Sequence, residues 1–185
     1  MNLIIISMNK NRCKWVTDDE IYIKYHDEEW GIPTYDDKEL FEMLVLESFQ
    51  AGLSWITILK KRENFKEAFD DFDVVKVAGY GEDKIEELRN NEGIIRHKGK
   101  ITSAINNAKI FIEIQNEFKS FSNYIWSFTD GKIIKAEYLT ESELSKQISK
   151  DLKKRGMRFV GPTIIYSYLE SIGIIDNHEK DCYKY

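Results

Sequence analysis

Residues 153–163 read Lys153-Lys154-Arg155-Gly156-Met157-Arg158-Phe159-Val160-Gly161-Pro162-Thr163. Two glycines five apart, with apolar residues between them, make a tight hairpin. On its near side the spacing predicts a helix from Ser142 to Lys154, with Leu144, Ile148 and Leu152 on one stripe. On its far side Pro162 suits the first turn of a second helix, which closes at Gly173. A helix start carries unpaired N–H donors and the positive end of the dipole, so this junction can hold a phosphate. Lys154, Arg155 and Arg158 add positive charge around Gly156 and Gly161. The pattern has the form of a helix-hairpin-helix phosphate clamp. A plain turn between helices, with glycine used only for geometry, has the same local sequence.

Working outward, the chain is mainly α. With two prolines and ten glycines in 185 residues, long helices have room to form. Asp36-x-x-Glu39 is a capping box that opens the apolar run Leu40, Phe41, Met43, Leu44, Val45, Leu46. That helix is predicted to reach Ala51 and stop at Gly52. Ser54 is an N-cap for a helix through Phe69, and shorter and longer helices follow over Asp83–Asn90 and Lys98–Glu117. Only Lys132–Tyr138, after the Asp130-Gly131 turn, has strand character. No repeat or low-complexity linker divides the chain. One domain is expected over 9–185, with 1–8 an N-terminal extension given no function; Met8 is a second candidate start.

The hydrophobic share of 42% and charged share of 32% are those of an ordinary globular protein. No apolar run is long enough for a membrane span or a signal-peptide core, so the expected location is cytoplasmic, without a membrane partner and as a monomer. The net charge of −5 by itself argues against a nucleic-acid partner. Its distribution is uneven, however. Basic residues cluster at 60–62, 96–100 and 153–158, and acids at 70–73 and 82–87.

Cys13 and His26 stand near one end of the chain, His178 and Cys182 near the other, and these include both cysteines. A Cys2His2 set suits tetrahedral zinc, and an ion held by all four would clip the termini together as a structural staple. Unrelated buried residues, or a Cys13–Cys182 disulfide, fit the same spacing; the disulfide is disfavoured in a reducing compartment. Glu47 breaks two local rules. It follows an apolar run, and its charge opposes the dipole near a helix C-terminus, which marks it as a site candidate. Aromatics crowd the same third of the chain: Trp15, Tyr22, Tyr25, Trp30, Tyr35 and Trp55. Such a cluster is a core, or a cage that stacks a cationic ring beside the acid.

Read as a set, these pieces resemble the 3-methyladenine DNA glycosylase I family. The likeness runs from Arg12 to about Cys182. It rests on Arg12-Cys13-x-Trp15, on Tyr22-x-x-Tyr25-His26-Asp27-x-Glu29-Trp30-Gly31-x-Pro33, and on Gln50-Ala51-Gly52-Leu53-Ser54-Trp55. It continues through Lys60-Lys61-Arg62-Glu63-Asn64, Gly93-Ile94-Ile95-Arg96-His97 and Lys153-Lys154-Arg155-Gly156 to Gly161-Pro162-Thr163. The resemblance implies an all-α helix-hairpin-helix DNA glycosylase fold, with a structural zinc at Cys13, His26, His178 and Cys182 joining the N- and C-terminal segments. It implies monofunctional hydrolysis of the N-glycosidic bond of 3-methyladenine in double-stranded DNA, leaving an abasic site and the free base. The catalytic position falls on Glu47. The base pocket falls on Tyr22, Tyr25, Trp30 and Trp55, and the DNA clamp on Lys154, Arg155, Gly156, Arg158 and Gly161. Glu47 is expected to accept hydrogen bonds from the base and to favour its cationic form. Asp176 lies where many helix-hairpin-helix glycosylases place an acid, but no role is implied for it here.

The chain departs from the family pattern twice. Ser48 replaces a glycine, which is expected to narrow the pocket or reposition Glu47. Glu170 replaces a glutamine, which places a negative charge after the hairpin. The competing readings are a zinc-stapled DNA reader that does not cut, and a protein that cages a small free cationic base.

Overall fold

The computed structural model describes residues 10–136 and 139–185. The expected extension over 1–8 and the last two residues of the expected strand, Glu137 and Tyr138, lie outside these. Among the described residues there are nine α-helices: α1 Glu20–Glu28, α2 Asp37–Gln50, α3 Trp55–Ala68, α4 Val74–Ala78, α5 Glu82–Asn90, α6 Lys98–Phe118, α7 Phe121–Ser127, α8 Glu143–Lys154 and α9 Pro162–Ser171. A two-residue strand, β1 (Ile134–Lys135), pairs in parallel with β2 (Ile175–Asp176). The expected strand is therefore real but short, and the fold is mostly helical.

Helix starts follow from side chains that satisfy the free N–H groups. Asp36 accepts from Lys38 N and Glu39 N, as the sequence predicts. The reciprocal half of that capping box is not formed, because the Glu39 carboxylate instead takes the Thr34 hydroxyl at 2.5 Å. A complete box occurs at α8, where Ser142 and Ser145 cap each other's backbone. Gly52 ends the turn after α2 with φ +80°.

The amphipathic helices close around α2 and α6. From Leu40 to Phe49, α2 is buried except at Glu42, and it packs against α3, α6, α7 and α9. Phe111 of α6 stacks on Phe121 of α7 with centroids 4.0 Å apart. A second, smaller cluster of Cys13, Tyr25, Trp30, Leu59 and Cys182 lies apart from this core, with Trp15, Tyr22 and Trp55 against it. Two glycines let the loop after α1 lie on the end of α9. Gly31 has φ +75°, and a Cβ there would stand 2.6 Å from His178 Cε1. Gly173 has φ +74°, and a Cβ there would stand 2.3 Å from Pro33 N. Two backbone bonds complete the join, Gly31 N–H to Glu170 O (3.1 Å) and Thr34 N–H to Ile172 O (3.1 Å).

Candidate active site

A cavity of about 210 Å³ opens between α1, α2, the start of α3 and the end of α9. That is smaller than the roughly 300–1,000 Å³ of pockets for drug-sized ligands, and suits a single small ring system. Tyr22, Tyr25, Trp30, Glu47 and Trp55, all expected from the sequence, line it together. Trp15, Gln50, Ser167, Glu170, Asn177 and Glu179 complete the wall. Tyr35 is elsewhere, stacked on Trp126 at 4.7 Å.

The rings are locked against one another. Trp15 meets Tyr22 and Trp30 edge to face, at 5.4 Å and 5.1 Å, and Tyr25 lies 5.5 Å from Trp55. The Tyr22 hydroxyl accepts the Ile56 N–H at 3.0 Å, which ties α1 to the first turn of α3. The indole N–H groups of Trp15 and Trp55 are buried without a partner among the described residues. Buried donors of this kind are costly unless a ligand meets them.

Glu47 is 3% exposed and has neither a hydrogen bond nor a cationic partner among the described residues. Burial raises its pKa well above the usual carboxylate value, and the nearby Glu170 raises it further. Both effects favour the protonated carboxyl over the charged one in the free cavity. Burial likewise lifts Glu170 to about 7, against a hydrogen bond from Asn177 that lowers it. Ser48, expected to narrow the pocket or reposition Glu47, is not among the residues lining the cavity. Its hydroxyl donates to Phe159 O at 3.2 Å, joining α2 to the hairpin.

Beside the cavity, Cys13, His26 and Cys182 bring their ligand atoms within 4.8 Å of one another, all buried. They join the N- and C-terminal segments, as expected of the staple. Both cysteines are free, so the disulfide alternative does not hold. His178 stands outside that triplet, but its ring is 5.4 Å from that of His26 and its Nε2 is buried without a partner among the described residues. Each imidazole turns Nδ1 to a carboxylate, His26 to Asp27 (2.9 Å) and His178 to Asp176 (2.7 Å). This is the arrangement by which carboxylates orient metal-binding histidines. Asp176 is thus a partner of His178 and of Lys135, not a cavity residue. Burial pushes the Cys13 thiol up to about 12.

The hairpin between α8 and α9 is built as the sequence suggests, with Gly156 at φ +101°. Asn107 holds Arg158 through both backbone groups, at 2.9 Å and 2.8 Å, and Ser149 donates to Val160 O at 2.6 Å. Gly161 is the N-cap of α9 and offers no side chain to its free N–H groups. Lys154 and Arg158 are exposed and make no ion pair within 4.0 Å among the described residues. Arg155 is different: its guanidinium pairs with Glu117 (2.6 Å) and Asp151 (2.8 Å), so its charge is met within the fold. In the 60–62 cluster, Lys60 pairs with Asp19, and Arg62 with Glu29 and Glu42. Lys61 there donates to the Glu92 and Gly93 carbonyls.

Residues 15–185 match the methyladenine glycosylase family. The chain is 46% identical over 177 residues to DNA-3-methyladenine glycosylase 1 of Escherichia coli strain K12, a match that covers 92% of this chain and 95% of that one. A crystal structure of 3-methyladenine DNA glycosylase I superposes with a TM-score of 0.91 at 44% identity, covering 94% of this chain and 98% of that one. A variant of such an enzyme in complex with 3-methyladenine gives a TM-score of 0.90 at 41% identity, covering 94% and 96%.

Proposed function

The chain belongs to the methyladenine glycosylase family, and from that premise we propose that the cavity beside Glu47 receives 3-methyladenine turned out of duplex DNA. The protein acts in base-excision repair as a 3-methyladenine DNA glycosylase. The observation that carries the reading of the cavity is an aromatic-walled space holding a fully buried carboxyl without a hydrogen-bond partner.

An extruded base is read by stacking and by hydrogen bonds to its edge. Tyr22, Tyr25, Trp30 and Trp55 supply the faces, and Glu47 addresses the edge. While bonded to the sugar, 3-methyladenine is cationic and is already a good leaving group. The base departs as neutral 3-methyladenine with the bonding pair, and water adds to the sugar carbon as hydroxyl, giving its other proton to solvent. A cation beside Glu47 favours its ionised form, so entry of the base and loss of the Glu47 proton are linked. Among the described residues no lysine lines the cavity, which supports hydrolysis by water over a lysine Schiff base.

Lys154, Gly156, Arg158 and Gly161 hold a DNA phosphate at the start of α9, while Arg155 braces the hairpin from behind. Zinc fits the Cys13, His26, His178 and Cys182 donor set: three ligand atoms already converge, and the fourth, His178 Nε2, is a buried atom with no other partner among the described residues. Its place is structural, fastening Trp15 and α1 to the end of the chain.

The test is incubation of purified protein with alkylated duplex DNA, followed by assay of the released bases. Free 3-methyladenine above the no-enzyme level is expected. Tight DNA binding without release would replace this reading with that of a non-cutting reader.

A further inference from the structure

Glu170 reaches the cavity from α9, whereas Glu47 reaches it from α2. Its position is fixed at both ends. Its backbone carbonyl accepts the N–H groups of Gly31 (3.1 Å) and Gly173 (3.2 Å), and its Oε1 accepts Asn177 Nδ2 at 2.7 Å. Oε2 has no partner among the described residues, and neither Lys nor Arg pairs with the carboxyl there.

We propose that Glu170 is a second specificity-determining carboxyl of this site, donating a hydrogen bond from Oε2 to an acceptor ring nitrogen of the bound purine while Asn177 holds Oε1. The proposal rests on the base-pocket reading above. The titratable groups around Glu170 are Glu47 from α2, Tyr22 and Tyr25 from α1, and Glu179 from the C-terminal segment; none is cationic. Beyond them Asp176 and His178 are turned to each other. Burial therefore keeps a proton on the free carboxyl up to about 7. Above that pH the donor becomes an anion beside electron-rich ring faces, and an acceptor nitrogen is repelled instead of bound.

Free 3-methyladenine is titrated into wild type, Glu170→Gln and Glu170→Ala, with the tryptophan fluorescence of the cavity wall as readout. In wild type the dissociation constant is expected to rise roughly tenfold more than in Glu170→Gln between about pH 6 and about pH 8. Glu170→Gln keeps an N–H donor at both pH values and binds near the acid-side strength of wild type. Glu170→Ala lacks the donor and binds weakly at both. Ligand protonation in free solution is common to all three proteins, so the difference between slopes reports residue 170 together with its coupling to Glu47. Equal slopes in wild type and Glu170→Gln, with base release from alkylated DNA intact, would overturn the role of Glu170 alone. Failure of wild type to release the base or to bind it would overturn the pocket reading beneath it.

Discussion

Glu47 shows what a single residue can and cannot reveal in advance. An acid closing an apolar helical run is visible as an anomaly in the sequence. Its protonation is not, because that depends on how deeply α3 and α9 cover it. Glu47→Gln removes the ionisable oxygen without changing shape. It is expected to fold normally and to release 3-methyladenine about a hundredfold more slowly, checked by circular dichroism and by single-turnover release from alkylated DNA. Glu47 and Glu170 also set a pH dependence. A carboxyl whose pKa is raised by folding binds more protons in the native state, so stability is present below the unfolded value and is lost as pH rises through the folded value. For Glu170 that window runs from 4.5 to about 7. The expected loss across it is on the order of 3 kcal/mol, measured as the difference in wild-type minus Glu170→Gln unfolding free energy between its two ends. Glu170 itself was legible only as a stray charge after the hairpin. Nothing local says that the last turn of α9 faces α1 and α2.

At the scale of elements, the hairpin divides its arginines by task. Arg158 is exposed and free of ion pairs among the described residues, whereas Arg155 lies between Glu117 and Asp151 and over the rings of Phe118 and Tyr124. Arg158→Ala is expected to weaken DNA binding uniformly across sequences and to reduce the salt slope by about one, read from affinities at several salt concentrations. Arg155→Ala is expected to leave that slope unchanged and to lower the melting temperature. The sequence could not separate the two, since the partners of Arg155 include a residue from another helix. Caps and stops were more legible. Asp36, Ser54, Ser142 and Pro162 mark helix starts within a residue of those observed, because each signal is local. No helix was predicted for α1, α4 or α7; the last two are only 5 and 7 residues long, too brief for a hydrophobic period to register.

For the whole molecule, the decisive join is between the ends of the chain. The donor types at Cys13, His26, His178 and Cys182 were legible; the convergence of Cys13, His26 and Cys182 needed the fold. Cys182→Ser is expected to lose bound zinc, measured by elemental analysis, and to lower the melting temperature by roughly 10 °C. Unchanged metal content would remove the zinc reading while leaving the cavity intact. The join is reinforced by Tyr183 N–H to Asn11 O at 2.8 Å and by Lys184 Nζ to the His26 and Asp27 carbonyls. One wall of the cavity, Trp15 with Tyr22 and Tyr25, therefore rests on residues that follow α9. Whatever loosens those last contacts slackens the wall behind the cavity, while the turn between α8 and α9, held by Asn107 and Ser149, keeps its shape.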